Sequence, residues 1–205
     1  NVLTMDGYEK PLELHATLTV TKDSIHVDFT GTSGCSNKGI NVPLNYATAY
    51  TVFGIRCLVG PDIPNNSGSL APFTVSGPPG CILNAQRPVP VAMRHTLGQM
   101  TPDLVLGCLH QAIPDRVPAE GASCMFDLPM RHAPEVARDG GQMFAIEPVH
   151  NGGTGARPHS DGLSATAFPS GVFGSQVEIT ESVAPVIMWK RELRPDSGGA
   201  EGFRG

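Results

Sequence analysis

An arginine followed directly by a histidine, Arg94-His95, and a glycine-dense run, His150-Asn-Gly-Gly-Thr-Gly-Ala-Arg-Pro-His-Ser-Asp-Gly162, carry the side chains of this 205-residue chain best suited to chemistry. Imidazole moves protons near neutral pH, and guanidinium matches a carboxylate or a developing oxyanion. No neighbour of Arg94-His95 defines a mechanism, so the pair reads either as a substrate contact or as a structural hydrogen-bonding unit. In the second run, Gly152, Gly153 and Gly155 let backbone N–H groups turn toward an anion, and Arg157 could complete such a pocket. The Lys-Ser/Thr ending of a phosphate-binding P-loop is missing, which excludes a nucleotide signature. The run reads as a turn cluster at a tight chain crossing or as part of an active-site wall. His150, His159 and Asp161 are ligand types suited to Zn²⁺ or Mn²⁺, but their spacing matches no metal motif and no metal ligand is assigned. The mixed-charge Asp196-Ser-Gly-Gly-Ala-Glu-Gly-Phe-Arg204 reads as a solvated turn or as a loop near an interface or cleft. With no G-x-S-x-G elbow and no cysteine beside an activating group, the catalytic residues stay unassigned.

The elements that must position these groups are legible in part. Leu12, Leu14, Ala16, Leu18 and Val20 alternate with polar residues, as do Ile25, Val27 and Phe29, which predicts two half-buried strands. A two-residue loop at Lys22-Asp23 sets Thr19 opposite His26 and Thr17 opposite Asp28, and leaves His15, His26 and Asp28 on a solvated face. A helix is predicted after Asn41, its N-cap, with Pro43 in the first turn and Tyr50, Phe53, Gly54, Cys57 and Leu58 as the apolar face. Gly60-Pro61 stops it, and turn formers run on to Gly68. Residues 71–84 continue the sheet around the turn Gly77-Pro-Pro-Gly80. A second helix is predicted over residues 101–113, with Thr101 as N-cap, Asp103 favourable to the dipole, Leu104, Val105, Cys108, Leu109 and Ala112 buried, and Pro114 ending it. Its periodicity extends back toward Leu97. Residues 115–141 show little pattern, whereas 144–146, 176–180 and 186–190 read as strands. Strands and helices without regular βαβ alternation make the fold class α+β, mixed and loop-rich.

Composition bounds the function. Hydrophobic residues make 40% of the chain, enough for a packed core, while 24 glycines and 19 prolines predict many loops. A net charge of −5 and 6% aromatics give neither a basic stripe nor stacking platforms, so nucleic-acid binding is excluded. No stretch has the roughly 20 apolar residues of a membrane helix, and Asp6, Glu9, Lys10 and Glu13 interrupt any signal-peptide core. Five scattered cysteines without a C-x-x-C pair, among them Cys57 and Cys108 on helical apolar faces, read as buried thiols in a reducing cytoplasm.

Five ordered segments carry a resemblance. Pro61-Asp-Ile-Pro-Asn-Asn66 with its preceding helix, Val27-Asp-Phe-Thr-Gly-Thr-Ser33, residues 72–95 with Ile82-Leu-Asn84 and Val91-Ala-Met-Arg-His95, residues 151–162, and residues 192–205 together resemble the hydantoinase B/5-oxoprolinase family. The resemblance implies a B-type subunit, or its C-terminal portion, acting with a hydantoinase A-type ATP-binding partner on a small cyclic amide such as 5-oxoproline or a hydantoin. Related members are ketone carboxylase subunits, and a non-catalytic assembly module is a further alternative. Zn or Mn and ATP with Mg are implied for the complete assembly. The family's Gly-Gly-Thr-His metal pattern belongs to an N-terminal half and has no counterpart in this sequence. We therefore expect a linker-like start over residues 1–10 and, over 11–205, the C-terminal part of a longer protein that is inactive alone. The place of Arg94, His95, Gly152, Gly153, Gly155, Arg157 and Asp161 among the family-like segments leads us to expect one substrate-facing cleft between them.

Overall fold

A computed structural model describes residues 1–123, 125–133, 143–199 and 202–205. The chain opens with β1 (Val2–Met5), which pairs antiparallel with β2 (Leu12–His15), so the stretch read as linker-like holds a strand. Ala16 separates β2 from β3 (Thr17–Val20), and β3 forms the expected hairpin with β4 (Ile25–Asp28). Its register sets Thr19 opposite His26 and Thr17 opposite Asp28, as the alternation requires. The turn is closed by Thr21, whose N–H donates to the Ser24 carbonyl at 2.9 Å. Inward-facing Leu14, Ala16, Val27 and Phe29 are buried.

The first long helix, α1, runs Leu44–Arg56, and Pro43 occupies its N-cap position. Asn41 does not cap it. Its fully buried carboxamide accepts from the Ser36 N–H at 2.7 Å and donates to the carbonyls of Ser36, Lys38 and Pro90, closing the loop ahead of the helix. The buried face is also rotated from the expected one: Ala47, Thr51, Val52, Gly54 and Ile55 face inward, while Phe53 is 40% exposed and Cys57 is exposed. The helix is clamped from two sides, which widens its inner face past the stripe that spacing alone selects. Phe53 instead sets its ring 5.8 Å from that of Phe168. Gly60 takes the left-handed conformation expected of it, at φ 66°. Arg56 is buried; it donates to the carbonyls of Val59 and Ile63 and so shapes the Pro61-to-Asn66 turn. That turn leads into a short helix, α2 (Ser67–Leu70), which Asn66 caps through the N–H groups of Gly68 and Ser69.

Strand β5 (Phe73–Ser76) pairs parallel with β4, making a three-stranded sheet ordered β3-β4-β5 with α1 in the crossover. Two helices follow: α3 (His95–Gly98) and α4 (Thr101–His110). Arg94, Gln99 and Met100 are right-handed helical, so the two run nearly on from each other. Met100 is the N-cap position, while the Thr101 hydroxyl donates back to the Gly98 carbonyl at 2.9 Å. Leu104, Val105 and Leu109 are buried as expected, Cys108 is half-buried and Ala112 is exposed beyond the helix end. Helix α4 crosses α1 at Gly54, where an added Cβ would lie 2.8 Å from the Pro102 Cα. One core joins β2, β3, β4, α1, α3 and α4.

Beyond a 3₁₀ turn at Pro114–Arg116 the structure thins. Strands β6 (Met125–Asp127) and β7 (Met130–Arg131) pair antiparallel with β9 (Val149–Asn151) and β8 (Ala145–Ile146), respectively. Of the stretch 115–141, patternless in sequence, Cys124 and residues 134–141 lie outside the described residues. Two expected strands are absent from their positions. Residues 176–180 open a helix, α5 (Val177–Val183), and 186–190 are irregular: the chain touches the β9 edge at Ser175, whose N–H donates to the Val149 carbonyl, and then turns into the helix instead of continuing along that edge. This region exposes Phe173, Ile179, Val183, Ile187, Trp189 and Leu193, with Trp189 93% exposed. Mixed short sheets and helices confirm the α+β class.

Candidate functional site

His95 starts α3 and its Nε2 lies 2.6 Å from Oδ2 of Asp127 on β6, a half-buried pair. A carboxylate that accepts from Nε2–H keeps the neutral imidazole proton there and leaves Nδ1 with a lone pair, the arrangement of an oriented base. Among the described residues, Nδ1 makes no hydrogen bond. Arg94 points elsewhere: its guanidinium sits 5.6 Å over the Tyr46 ring, which itself stacks on Tyr50. Burial raises the Tyr46 phenol well above its ordinary range, so the cation faces a neutral ring.

Four-residue spacing puts His95, Gln99 and Asp103 on one side of the α3–α4 rod. Gln99 is 1% exposed, and neither end of its carboxamide has a partner among the described residues; the buried Thr51 hydroxyl of α1 is unpartnered as well. Burial, together with the nearby Glu120 carboxylate, pushes the Asp103 acid up to about 7. Desolvation thus outweighs the helix dipole that sequence reasoning set in its favour.

The glycine-dense run leaves β9 and crosses two other segments. Ala119 N–H donates to the Ala156 carbonyl at 2.8 Å, and Ala122 N–H to the Gly153 carbonyl at 3.0 Å. A Cβ on Gly155 would collide with the Ala119 carbonyl, and one on Gly162 with the Thr154 carbonyl. Arg157 closes a local turn, its Nε donating to the Asp161 carbonyl at 2.9 Å, while Asp161 Oδ1 accepts from the Arg204 N–H at 2.8 Å. Gly155 is therefore the pivot of a tight crossing, and Arg157 and Asp161 hold it shut against the C-terminal end. His95 reaches this region through Asp127, since β6 pairs with the strand that leads into Gly152.

A cleft of ≈ 580 Å³ opens on the other side of β9, lined among others by His150, Asn151, Val172, Phe173 and Arg191. Its walls include neither Arg94-His95 nor residues 152–162. His159 is exposed and Asp161 is engaged with Arg204, so the three candidate ligands His150, His159 and Asp161 do not converge. Among the described residues no three His, Cys, Asp or Glu side chains could hold a metal ion.

The hydantoinase B/oxoprolinase family profile matches residues 2–205. The chain belongs to that family. As relatives of this hydantoinase B-type chain, the 5-oxoprolinase of Dictyostelium discoideum is 29% identical over 203 residues, covering 98% of this chain and 15% of that protein. Subunit beta of the caprolactamase of Pseudomonas jessenii is 33% identical over 148 residues, covering 69% and 25% of the two. The crystal structure of that ATP-dependent caprolactamase superposes with a TM-score of 0.72 at 25% identity, over 95% of this chain and 34% of that one. Nucleotide-free acetone carboxylase shares the fold at a TM-score of 0.76 and 19% identity, over 95% and 26%. The chain thus spans between 15% and 34% of the curated relatives it first matches.

Within this family frame, the structure adds side chains that the sequence did not flag. Asp127 sits in a stretch without pattern, Gln99 looks like any helical polar residue, and Arg191 lies beside residues taken for a strand. Only the i, i+4 spacing of His95, Gln99 and Asp103 was available as a signal.

Proposed function

We propose that this chain is part of a hydantoinase B/oxoprolinase-type enzyme that hydrolyses a cyclic amide such as 5-oxoproline or a hydantoin. Family membership across residues 2–205 is the observation that supports this reading most strongly. An unstrained amide is a poor electrophile; phosphorylation of its oxygen by an ATP-using, A-type partner converts that oxygen into a leaving group. In this reading metal-assisted chemistry belongs to the complete assembly; among the described residues no three His, Cys, Asp or Glu side chains gather into a metal site. In this proposal His95, oriented by Asp127, faces the reacting amide, Arg94 lies at the rim, and Gly152, Gly153, Gly155, Arg157 and Asp161 shape the adjoining wall. The free thiols of Cys35, Cys57, Cys81 and Cys108 suit a reducing cytoplasm. Among the described residues no helix is long and apolar enough to cross a membrane.

The fold is shared with acetone carboxylase, so architecture does not discriminate amide hydrolysis from ketone carboxylation. Assays of the complete assembly with 5-oxoproline, N-methylhydantoin, and acetone plus bicarbonate do. ATP-dependent ring opening is the expected result. Carboxylation of acetone without ring opening would overturn the hydrolase reading, and ATP-dependent turnover by this chain alone would overturn the need for a partner.

A further inference from the structure

We propose that the stretch from Val186 to Arg194 is a docking edge that pairs with an acidic, alternately apolar strand supplied by another part of the complete assembly. The sequence predicts a strand over 186–190, where Val186, Ile187 and Trp189 are residue types suited to a pleated surface. The structure gives it no partner strand. From Val186 to Arg194 the chain runs without turn or bend, bracketed by Pro185 and Pro195, which cannot donate to a ladder. Two contacts hold this stretch to the body of the chain. The Met188 N–H donates to Oε1 of Glu181 on α5 at 2.8 Å, and Arg191 donates to the Ser175 carbonyl beside β9. The rest of its main chain is unengaged. Among the described residues, the N–H groups of Ile187 and of residues 189–194 donate to nothing, and the carbonyls of residues 186–193 accept nothing. Lys190 and Glu192, two positions apart, form an ion pair at 2.5 Å, as side chains on one face of an extended chain do. Ile187, Trp189 and Leu193 take alternate positions and are 74%, 93% and 63% exposed.

A straight, unpaired edge with exposed apolar side chains is a template for strand addition, in which main-chain hydrogen bonds supply affinity and alternate side chains supply specificity. Charge selects the occupant. Lys190 and Glu192 neutralise each other, whereas Arg191 and Arg194 have no carboxylate partner among the described residues, so the edge is positive on a chain of net charge −5. A second copy would set the same positive side chains against one another, and an acidic strand pairs with them. Further polypeptide does accompany this fold in a relative: the match covers 95% of this chain but 34% of the caprolactamase chain. The proposal needs the complete assembly but not the cyclic-amide chemistry, which the turnover assays test separately. Hydrogen exchange resolved to single amides compares the 205-residue chain alone with the same chain in that assembly. We expect alternate amides within 187–193 to exchange at least about 100-fold more slowly in the assembly, because pairing on one edge engages every second N–H. Trp189→Asp, at an exposed position, should leave the thermal midpoint of the isolated chain unchanged and weaken its binding to the rest of the assembly at least about tenfold. Equal exchange in the two states, slowing without alternation, or undiminished binding of Trp189→Asp would each overturn the proposal. Slow exchange at 187–193 in the isolated chain, with a dimer mass by sedimentation, would assign the edge to a second copy and overturn it too. The exchange comparison on the unsubstituted chain holds even where Trp189→Asp perturbs folding.

Discussion

Three side chains along one side of the α3–α4 rod set the residue-scale expectations. Folded Asp103 keeps its proton up to about pH 7, whereas an unfolded aspartate releases it near ~3.9. The folded state therefore binds the extra proton between those values, and stability falls as pH rises through the window, with the full penalty above about 7. Asp103→Asn should raise the thermal midpoint at pH 8 and change it little at pH 4; circular dichroism melts at the two values check this. Gln99, buried with both amide ends unpartnered, is the second case. Replacement by methionine of similar volume removes two unsatisfied groups, so Gln99→Met should melt higher. A lower midpoint would mean that the carboxamide is satisfied in the folded protein. His95 is the third, and His95→Gln in the complete assembly should lower turnover by about 10²–10⁴-fold, the scale of general-base contributions. Because the pair with Asp127 is half-buried, we expect a small loss of midpoint as well. Full activity in that variant would leave His95 a tether for β6.

At the scale of elements, the close crossing of α1 and α4 is the joint on which the core depends. An alanine at Gly54 would place its Cβ 2.8 Å from backbone of Pro102, which cannot swing aside. Gly54→Ala should cost about 1–3 kcal/mol by overpacking, and Leu104→Ala about 2–5 kcal/mol by leaving a cavity; urea titrations measure both. Phe53→Ala should cost less than Leu104→Ala, since the Phe53 ring is partly exposed and meets Phe168 rather than the core. The same joint explains what sequence could and could not convey. Period-two alternation located the β3–β4 hairpin and its register because one face is buried and the other wet, so a slip would invert every side chain. Helical spacing located α1 and α4, but the direction of the buried face depends on which neighbours arrive, and those contacts are remote in sequence. Asn41 was misread for the same reason: its partners include Pro90, far along the chain. Val-Glu-Ile-Thr in α5 alternates like a strand, yet the chain meets the edge of β9 only at Ser175 and then coils into the helix, a choice that alternation alone does not reveal. The candidate site was legible as residue types, Arg94-His95 and the glycine run, whereas Asp127, Asn151 and Arg191 acquired meaning only through β6–β9 pairing and the fold of the last third.

Taken whole, the molecule is uneven. The hydrophobic core draws on residues up to Val105, while beyond residue 113 the buried apolar side chains among the described residues are the small ones of Pro148, Ala167 and Ala184. Glycine crossings, short hairpins and a few hydrogen bonds hold the later part, and the His95–Asp127 pair and the Phe53–Phe168 contact join it to the core. Hydrogen exchange should therefore show its slowest amides in α1 and α4 and faster exchange across residues 143–199; uniform protection along the chain would contradict this division. The outward-facing side chains of residues 172–193 sharpen the contrast. Trp189, the only tryptophan in the sequence, stands 93% exposed among them. Its indole emission is consequently blind to the core: the fluorescence maximum should lie at the red position of a water-bathed indole in the folded chain and barely move when urea melts α1 and α4. The same optical property makes Trp189 a ready-made probe of that surface alone, shifting to the blue only when another apolar surface covers it.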